Sequence, residues 1–305
     1  MTKVFIDGSS GTTGLRIRER LAARDDLSLI LLPEELRKET SARKEALNEA
    51  DVAFLCLPDA AAVEAVSLLC GDTAVIDTST AHRTAAGWTY GFPELGLREQ
   101  IRQSKRIANP GCHASGFIAL IKPLLDAGLV KNDAKLTCFS LTGYSGGGKK
   151  MIAEYEAADR DPLFDAPRQY GLTQEHKHLK EMVALTKIET PPVFCPIVAP
   201  FYSGMEVTVP LFASDVNGTV TDIEEVYANV YRDGLVRFVR GAGESGFLSA
   251  SALAERDDME LTVTGNGDRI LLVARYDNLG KGASGAAIQN MNLILGLDET
   301  TGLVV

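Results

Sequence analysis

The chain has no apolar run approaching the roughly 20 residues that a membrane-spanning helix needs. Its opening residues read directly as a strand, Lys3-Val4-Phe5-Ile6, so a secretory leader is not expected. Positive charge is scarce: 31 Lys and Arg against 41 Asp and Glu leave a formal net charge of −10. Nucleic-acid and anionic-membrane surfaces need concentrated Lys and Arg, so neither is expected as a partner. Local basic spots such as Lys149-Lys150 stay available to a small anion. Cysteine is also sparse. Cys56, Cys70, Cys112, Cys138 and Cys195 are odd in number, scattered and without a CxxC pair. That spacing predicts neither a disulfide framework nor a metal site, and it suits a reducing, cytoplasmic location.

What is present is an ordinary globular mixture, long enough at 305 residues to divide into two domains. The first half alternates strand-like runs (4–6, 27–32, 52–57, 74–76) with helical patterns (13–23, 40–48, 60–69). Such alternation predicts an α/β domain with a doubly wound parallel sheet. The uninterrupted apolar run Val52-Ala53-Phe54-Leu55-Cys56-Leu57 reads as a strand buried on both faces. Beyond about residue 133 the strands at 135–141, 193–198, 205–212, 235–239, 259–263 and 269–276 have fewer helices between them. That half predicts an α+β domain with a mainly antiparallel sheet. A final helix over 282–295 is rich in small residues, which suits close packing.

One cysteine stands out. Asn109-Pro110-Gly111-Cys112 ends a short strand, 106–108, and Cys112 opens a helical pattern. A thiol at a helix N-terminus meets unpaired N–H groups and the positive end of the helix dipole, which favour the nucleophilic thiolate. The same N–H groups can hold an oxyanion. Gly8-Ser9-Ser10-Gly11-Thr12-Thr13-Gly14 follows the first strand and opens the first helix, with GxxGxxG spacing. There, glycines let the backbone approach a pyrophosphate, and the reading is dinucleotide binding. Downstream, Glu34 could bond a ribose hydroxyl, whereas Arg37 and Lys38 could meet a 2′-phosphate; the residues leave that choice open.

Asp77-Thr78-Ser79-Thr80-Ala81-His82-Arg83 falls at the carboxyl edge of a strand, where open α/β sheets bind ligands. Gly143-Tyr144-Ser145-Gly146-Gly147-Gly148-Lys149-Lys150 is flexible, hydroxyl-bearing and basic, able to wrap an anion, and it lacks Walker spacing. His176-Lys177-His178 lies in a helical pattern over 174–186, where residues two apart cannot share a face. That argues against a joint metal site and for a single histidine acting as acid/base.

Together these stretches resemble the N-acetyl-γ-glutamyl-phosphate reductases of arginine biosynthesis, in their short bacterial form. The likeness also rests on Cys56-Leu57-Pro58-Asp59 and on Asp277-Asn278-Leu279-Gly280-Lys281-Gly282-Ala283-Ser284-Gly285-Ala286-Ala287. It covers nearly the whole chain in order, and aspartate-semialdehyde dehydrogenase is similar more distantly. The resemblance implies a Rossmann-type domain from 1–111 with 280–305, and a catalytic and dimerisation domain over 112–279. It implies NADPH as cofactor, a small acyl-phosphate substrate and a homo-oligomer, dimer or tetramer. Cys112 would be the nucleophile, with His176 or His178 as its acid/base. Gly8, Gly11, Thr12, Thr13, Gly14, Ser79, Asn278, Lys281 and Gly282 would bind cofactor. Arg83, Asn109, Ser145, Gly146 and Lys149 would bind substrate. Rival readings are another acyl phosphate, aspartyl or aminoadipyl, and an inactive NADP-binding regulator. The sequence departs from the family pattern at His113-Ala114-Ser115, where an aromatic residue, Pro and Thr are usual. Lys180 stands where proline is usual, and 199–205 lacks an arginine common in relatives.

Overall fold

Alternating side chains on the first strands set up two separate apolar layers. A computed structural model describes residues 1–305 and divides them into two compact units, Met1–Pro110 with Ala283–Leu303, and Gly111–Gly282 with Val304–Val305. The junctions fall at 110/111 and 282/283, beside the 111/112 and 279/280 of the sequence reading.

In the first unit the order is β1 (Thr2–Asp7), α1 (Thr12–Ala22), β2 (Leu27–Ile30), α2 (Thr40–Glu49), β3 (Val52–Leu55), α3 (Asp59–Ser67), β4 (Ala74–Asp77), β5 (Thr89–Tyr90), α4 (Arg98–Gln103) and β6 (Arg106–Ala108). The sheet is wholly parallel, in the order β2-β1-β3-β4-β6-β5. Val4, Ile6, Phe54 and Ile76 bury one face with Ile17 and Leu21 of α1 and with Ile288 and Met291 from the chain's last helix. Phe5, Ala53, Leu55 and Val75 bury the other with Leu47 of α2 and Ala62 and Ala65 of α3. Period-two alternation inside strands covered on both sides produces this division. Chain direction across the sheet reverses between β1 and β3, so the glycine loop after β1 occupies the switch point where such sheets bind ligands.

The second unit continues with α5 (Cys112–Asp126), β7 (Thr137–Gly143), α6 (Gly148–Glu156), β8 (Arg168–Gln169), α7 (His178–Thr186), β9 (Val193–Ala199), β10 (Met205–Phe212), α8 (Val220–Val230), β11 (Val236–Phe238), β12 (Met259–Gly265) and β13 (Arg269–Tyr276). Its sheet order is β11-β12-β13-β10-β7-β9-β8. It is mixed and mostly antiparallel, with β11–β12 and β7–β9 as the parallel pairs. The apolar helix α5 packs on β10 and β13 and against α7. Gly116 lets it approach: a Cβ there would lie 2.6 Å from Val207 and 2.7 Å from the Tyr276 hydroxyl. The opposite sheet face leaves Phe139, Val193, Phe212 and Leu271 exposed. The final helix α9 (Gly285–Ile294) belongs to the first unit and is preceded by a π-helical turn, Gly280–Ser284. The helix expected over 282–295 thus opens with this π-helical turn and is α-helical from Gly285. No helix is long and apolar enough to cross a membrane.

Candidate active site

Pro110 and Gly111 stop β6 from continuing, and Cys112 becomes the first residue of α5, with Gly111 extended ahead of it at φ −79° and ψ 142°. The thiol is half-buried. Burial pushes the Cys56 thiol up to about 12, and it raises Cys138 as well, so neither forms thiolate near neutrality. The Cys112 sulfur and ring nitrogens of His113 and His178 lie within 4.8 Å of one another. These three donors could hold a soft cation, although both His113 nitrogens are already engaged.

His178 opens α7 and is buried, with Nε2 3.9 Å from Glu181 Oε1 one turn on. The other Glu181 oxygen accepts the Gly111 N–H at 3.1 Å, so one buried carboxylate touches both the histidine and the approach to Cys112. His176 falls outside the helix, contrary to the helical pattern read over 174–186. Its Nδ1 instead accepts the His178 N–H at 3.2 Å, satisfying a first-turn donor of α7. Freed from helical spacing, the two rings pack edge to face with centroids 4.8 Å apart.

In sequence His113 is marked only by its departure from the family pattern. It is a buried bridge: Nδ1 lies 2.6 Å from Ser140 Oγ and Nε2 lies 2.6 Å from the Tyr170 hydroxyl. Its ring packs against His176, His178 and Phe194 at 5.8, 5.4 and 5.4 Å between centroids. Burial lowers the His113 pKa to about 3, helped by repulsion from His176 and Lys177. His176 is lowered by burial and by Lys177, and Tyr170 is raised by burial and by Cys112. The ring cluster therefore favours neutral imidazoles at His113 and His176. Glu181 and Tyr170 were also missed; the i+3 spacing of Glu181 from His178 was the signal for the first, and Tyr170 had none.

Other expected residues of this unit converge. Asn278 Nδ2 donates to Ser145 Oγ at 3.0 Å while its Oδ1 accepts the Gly204 N–H at 2.9 Å. Gly282 touches Cys112; a Cβ there would meet the Cys112 Cβ at 3.1 Å. Ser145 and Lys281 are buried, whereas Gly146, in the turn before α6, and Lys149, in its first turn, are exposed.

In the first unit, Gly8 adopts φ +88°, and a Cβ would meet the Cys56 carbonyl oxygen at 2.3 Å; at Gly14 it would meet Gly8 O at 2.4 Å. The N-terminus of α1 has no side-chain cap, and the Thr12 hydroxyl is buried without a partner. A cradle of this kind, with unspent N–H groups and an orphaned hydroxyl, fits a phosphate-bearing nucleotide. Thr13 follows in the same turn. Ser79 is spent internally: its hydroxyl and N–H both donate to Asp77, which also lies 2.6 Å from His82 Nδ1. Arg83 donates through Nε to Asn109 O and through Nη2 to Thr78 O, both at 3.0 Å. Asn109 is buried between Ala283 O and Asn290. Arg83 and Asn109 thus tie loops together, and the exposed Glu34 and Lys38 flank a half-buried Arg37 after β2.

Two family models cover the chain: the semialdehyde dehydrogenase NAD binding domain over residues 3–104 and the semialdehyde dehydrogenase dimerisation domain over 112–278. The chain is 47% identical to the N-acetyl-gamma-glutamyl-phosphate reductase of Brucella ovis, across 96% of this chain and 99% of that protein. The same figures hold for the reductase of Brucella suis. Among solved structures, aspartate semialdehyde dehydrogenase II of Vibrio cholerae complexed with ASA matches with a TM-score of 0.70 at 18% identity, covering 97% of this chain and 98% of that one. Aspartate semialdehyde dehydrogenase of Francisella tularensis also matches at 0.70, with 14% identity and 97% and 100% coverage. At those identities the solved structures speak for the fold alone. The chain belongs to the N-acetyl-gamma-glutamyl-phosphate reductase family, built on the semialdehyde dehydrogenase fold.

Proposed function

We propose that this protein reduces N-acetyl-γ-glutamyl phosphate to N-acetyl-glutamate semialdehyde, releasing phosphate, with NADPH as reductant. The observation that carries the reading is the Cys112 sulfur at the first turn of α5 with a His178 ring nitrogen within 4.8 Å. It is supported by 47% identity to relatives bearing that name.

Cys112 thiolate attacks the γ-acyl carbon; a C–S bond forms, the C–O bond to phosphate breaks, and phosphate departs with the electron pair. First-turn N–H groups of α5 stabilise the tetrahedral oxyanion. A nicotinamide cofactor, when bound, would supply the hydride that the thioester carbon accepts. His178 protonates the resulting thiohemiacetal oxygen and then removes that proton as the C–S bond breaks, returning Cys112 to thiolate. Glu181 orients His178, and His176 holds the start of α7. Ser145, Gly146 and Lys149 bind the phosphoryl group, and Asn278 places Ser145. This reading also assigns Lys281, Gly282 and Ser79 to the cofactor. Gly8, Gly11, Thr12, Thr13 and Gly14 take the pyrophosphate, and Arg37 with Lys38 meets the 2′-phosphate of NADPH. The exposed apolar face bearing Phe139, Phe212 and Leu271 is the surface for a second copy. A cytoplasmic location belongs to the same reading.

The test runs the reaction backwards: N-acetyl-glutamate semialdehyde, phosphate or arsenate, and NADP. Purified protein should reduce NADP with this aldehyde and only weakly with aspartate semialdehyde. Cys112→Ser should abolish turnover while leaving NADPH binding intact. Turnover in that variant, or preference for the shorter aldehyde, would overturn the assignment.

A further inference from the structure

Arg168 is a half-buried cation with which no carboxylate forms an ion pair. By contrast Arg160, whose Nη1 donates to the Tyr155 carbonyl, pairs with Asp165. The Arg168 guanidinium is instead clamped by aromatic rings, 3.9 Å from the Phe164 centroid and 5.2 Å from that of Tyr155. Its Nε and Nη2 both donate to the Tyr155 hydroxyl, at 3.2 and 3.0 Å. Tyr155 therefore occupies one edge of the plane. The other edge, a parallel pair of N–H groups on Nη1 and Nη2, matches the fork a carboxylate accepts.

Strand geometry places this cation on the side of the sulfur. Arg168 pairs with Val198 across β8 and β9, and the ladder continues through the Tyr170 N–H to Pro196 O. Residues 168 and 170 therefore share a sheet face. On that face the Tyr170 hydroxyl reaches His113, whose ring nitrogen lies within 4.8 Å of Cys112 Sγ. Val198 in turn pairs with Thr142 on β7, which puts Arg168 two strands, about 10 Å, from the strand that leads into Ser145. The loop 199–205 carries neither Arg nor Lys, so it offers no competing charge.

We propose that Arg168 grips the α-carboxylate of the acyl-phosphate substrate and selects substrates that carry one. This deepens the reading given under Proposed function and rests on it. In N-acetyl-γ-glutamyl phosphate the α-carboxylate carbon is four bonds from the reacting carbonyl, about 5 Å when extended. One end of such a substrate lies at Cys112 and the other in the direction of Arg168. Loss of a desolvated, bidentate charge pair commonly costs about ten- to a hundredfold in affinity.

The experiment measures phosphate-dependent oxidation of N-acetyl-glutamate semialdehyde and of its α-carboxamide by wild type, Arg168→Met and Arg168→Lys, with a thermal melt for each protein. Wild type should favour the acid strongly. Arg168→Met should raise KM for the acid about ten- to a hundredfold, leave kcat within about threefold, and leave the amide unchanged, so that the preference collapses. Arg168→Lys, which keeps charge but not the fork, should fall between. Equal losses on acid and amide would mark Arg168 as purely structural and overturn the proposal, as would an unchanged KM for the acid. If wild type oxidises neither compound, the proposed reaction falls, and this assignment falls with it. If wild type oxidises the acid but the variants keep its preference, the Arg168 assignment fails alone.

Discussion

The phenol of Tyr276 is inserted into the first turn of the helix that carries Cys112. It donates to the Cys112 carbonyl at 2.5 Å and accepts the Gly116 N–H at 3.0 Å, coupling the end of β13 to the residue that bears the sulfur. Two backbone groups that would otherwise bond each other are bridged by one hydroxyl. Tyr276→Phe should cost about 1 kcal/mol, because the freed carbonyl and N–H can close directly, i to i+4. Alkylation of Cys112 should slow, since closure shifts the turn. Urea unfolding and iodoacetamide kinetics check both; an unchanged alkylation rate would show that the phenol does not set the position of the sulfur.

The two histidines should separate. His178→Asn removes the ring beside the sulfur and should cost about 10²- to 10⁴-fold in kcat. His176→Asn keeps an acceptor for the His178 N–H but loses the ring packed on His113 and Phe194, and should cost about 1 kcal/mol of stability with most turnover kept. Steady-state kinetics beside thermal melts give the answer, and a reversed order would exchange their roles.

His113 makes stability depend on pH. Its folded pKa of about 3 lies below the ordinary histidine value of 6.5. Below that ordinary value the unfolded chain gains a proton that the native ring does not. Stability is thus fully present above about pH 6.5 and is lost as pH falls toward about 3, with a limiting slope of about 1.4 kcal/mol per pH unit from this group. His176, also lowered, adds in the same direction. Urea midpoints between pH 7 and 4.5 should fall less steeply in His113→Phe than in wild type. Parallel curves would refute the burial argument.

Gly8→Ala tests the cradle. The position has φ +88°, and the new methyl would meet the Cys56 carbonyl oxygen at 2.3 Å, a backbone atom that cannot rotate away. Binding of NADPH, followed by fluorescence, should weaken at least tenfold even where the variant folds. Retained affinity would move the nucleotide away from this loop.

Much of the molecule was legible along the chain because the controlling physics is local. Alternation of Val4, Phe5 and Ile6 sorts side chains to opposite sheet faces, and Pro110-Gly111 ends β6 so that Cys112 can open α5. The glycines at 8 and 14 likewise mark a turn whose close backbone contacts leave no room for a Cβ. The histidine pair shows where local reading failed. Periodicity carried the helix back to 174, but it begins at His178, because the His176 ring serves that helix as a cap acceptor and packs on Phe194.

Chain order by itself determined two domain types, a nucleotide-type glycine turn and one cysteine at a helix start, since each depends on neighbours a few residues away. Only tertiary structure decided what surrounds that sulfur. Ser140, His113 and Tyr170 form one hydrogen-bonded line across 27 and 57 residues of separation, and Asn278 meets Ser145 across 133. Such pairings depend on which strands lie side by side in a sheet, and strand order is a property of the whole packed core that no local pattern encodes.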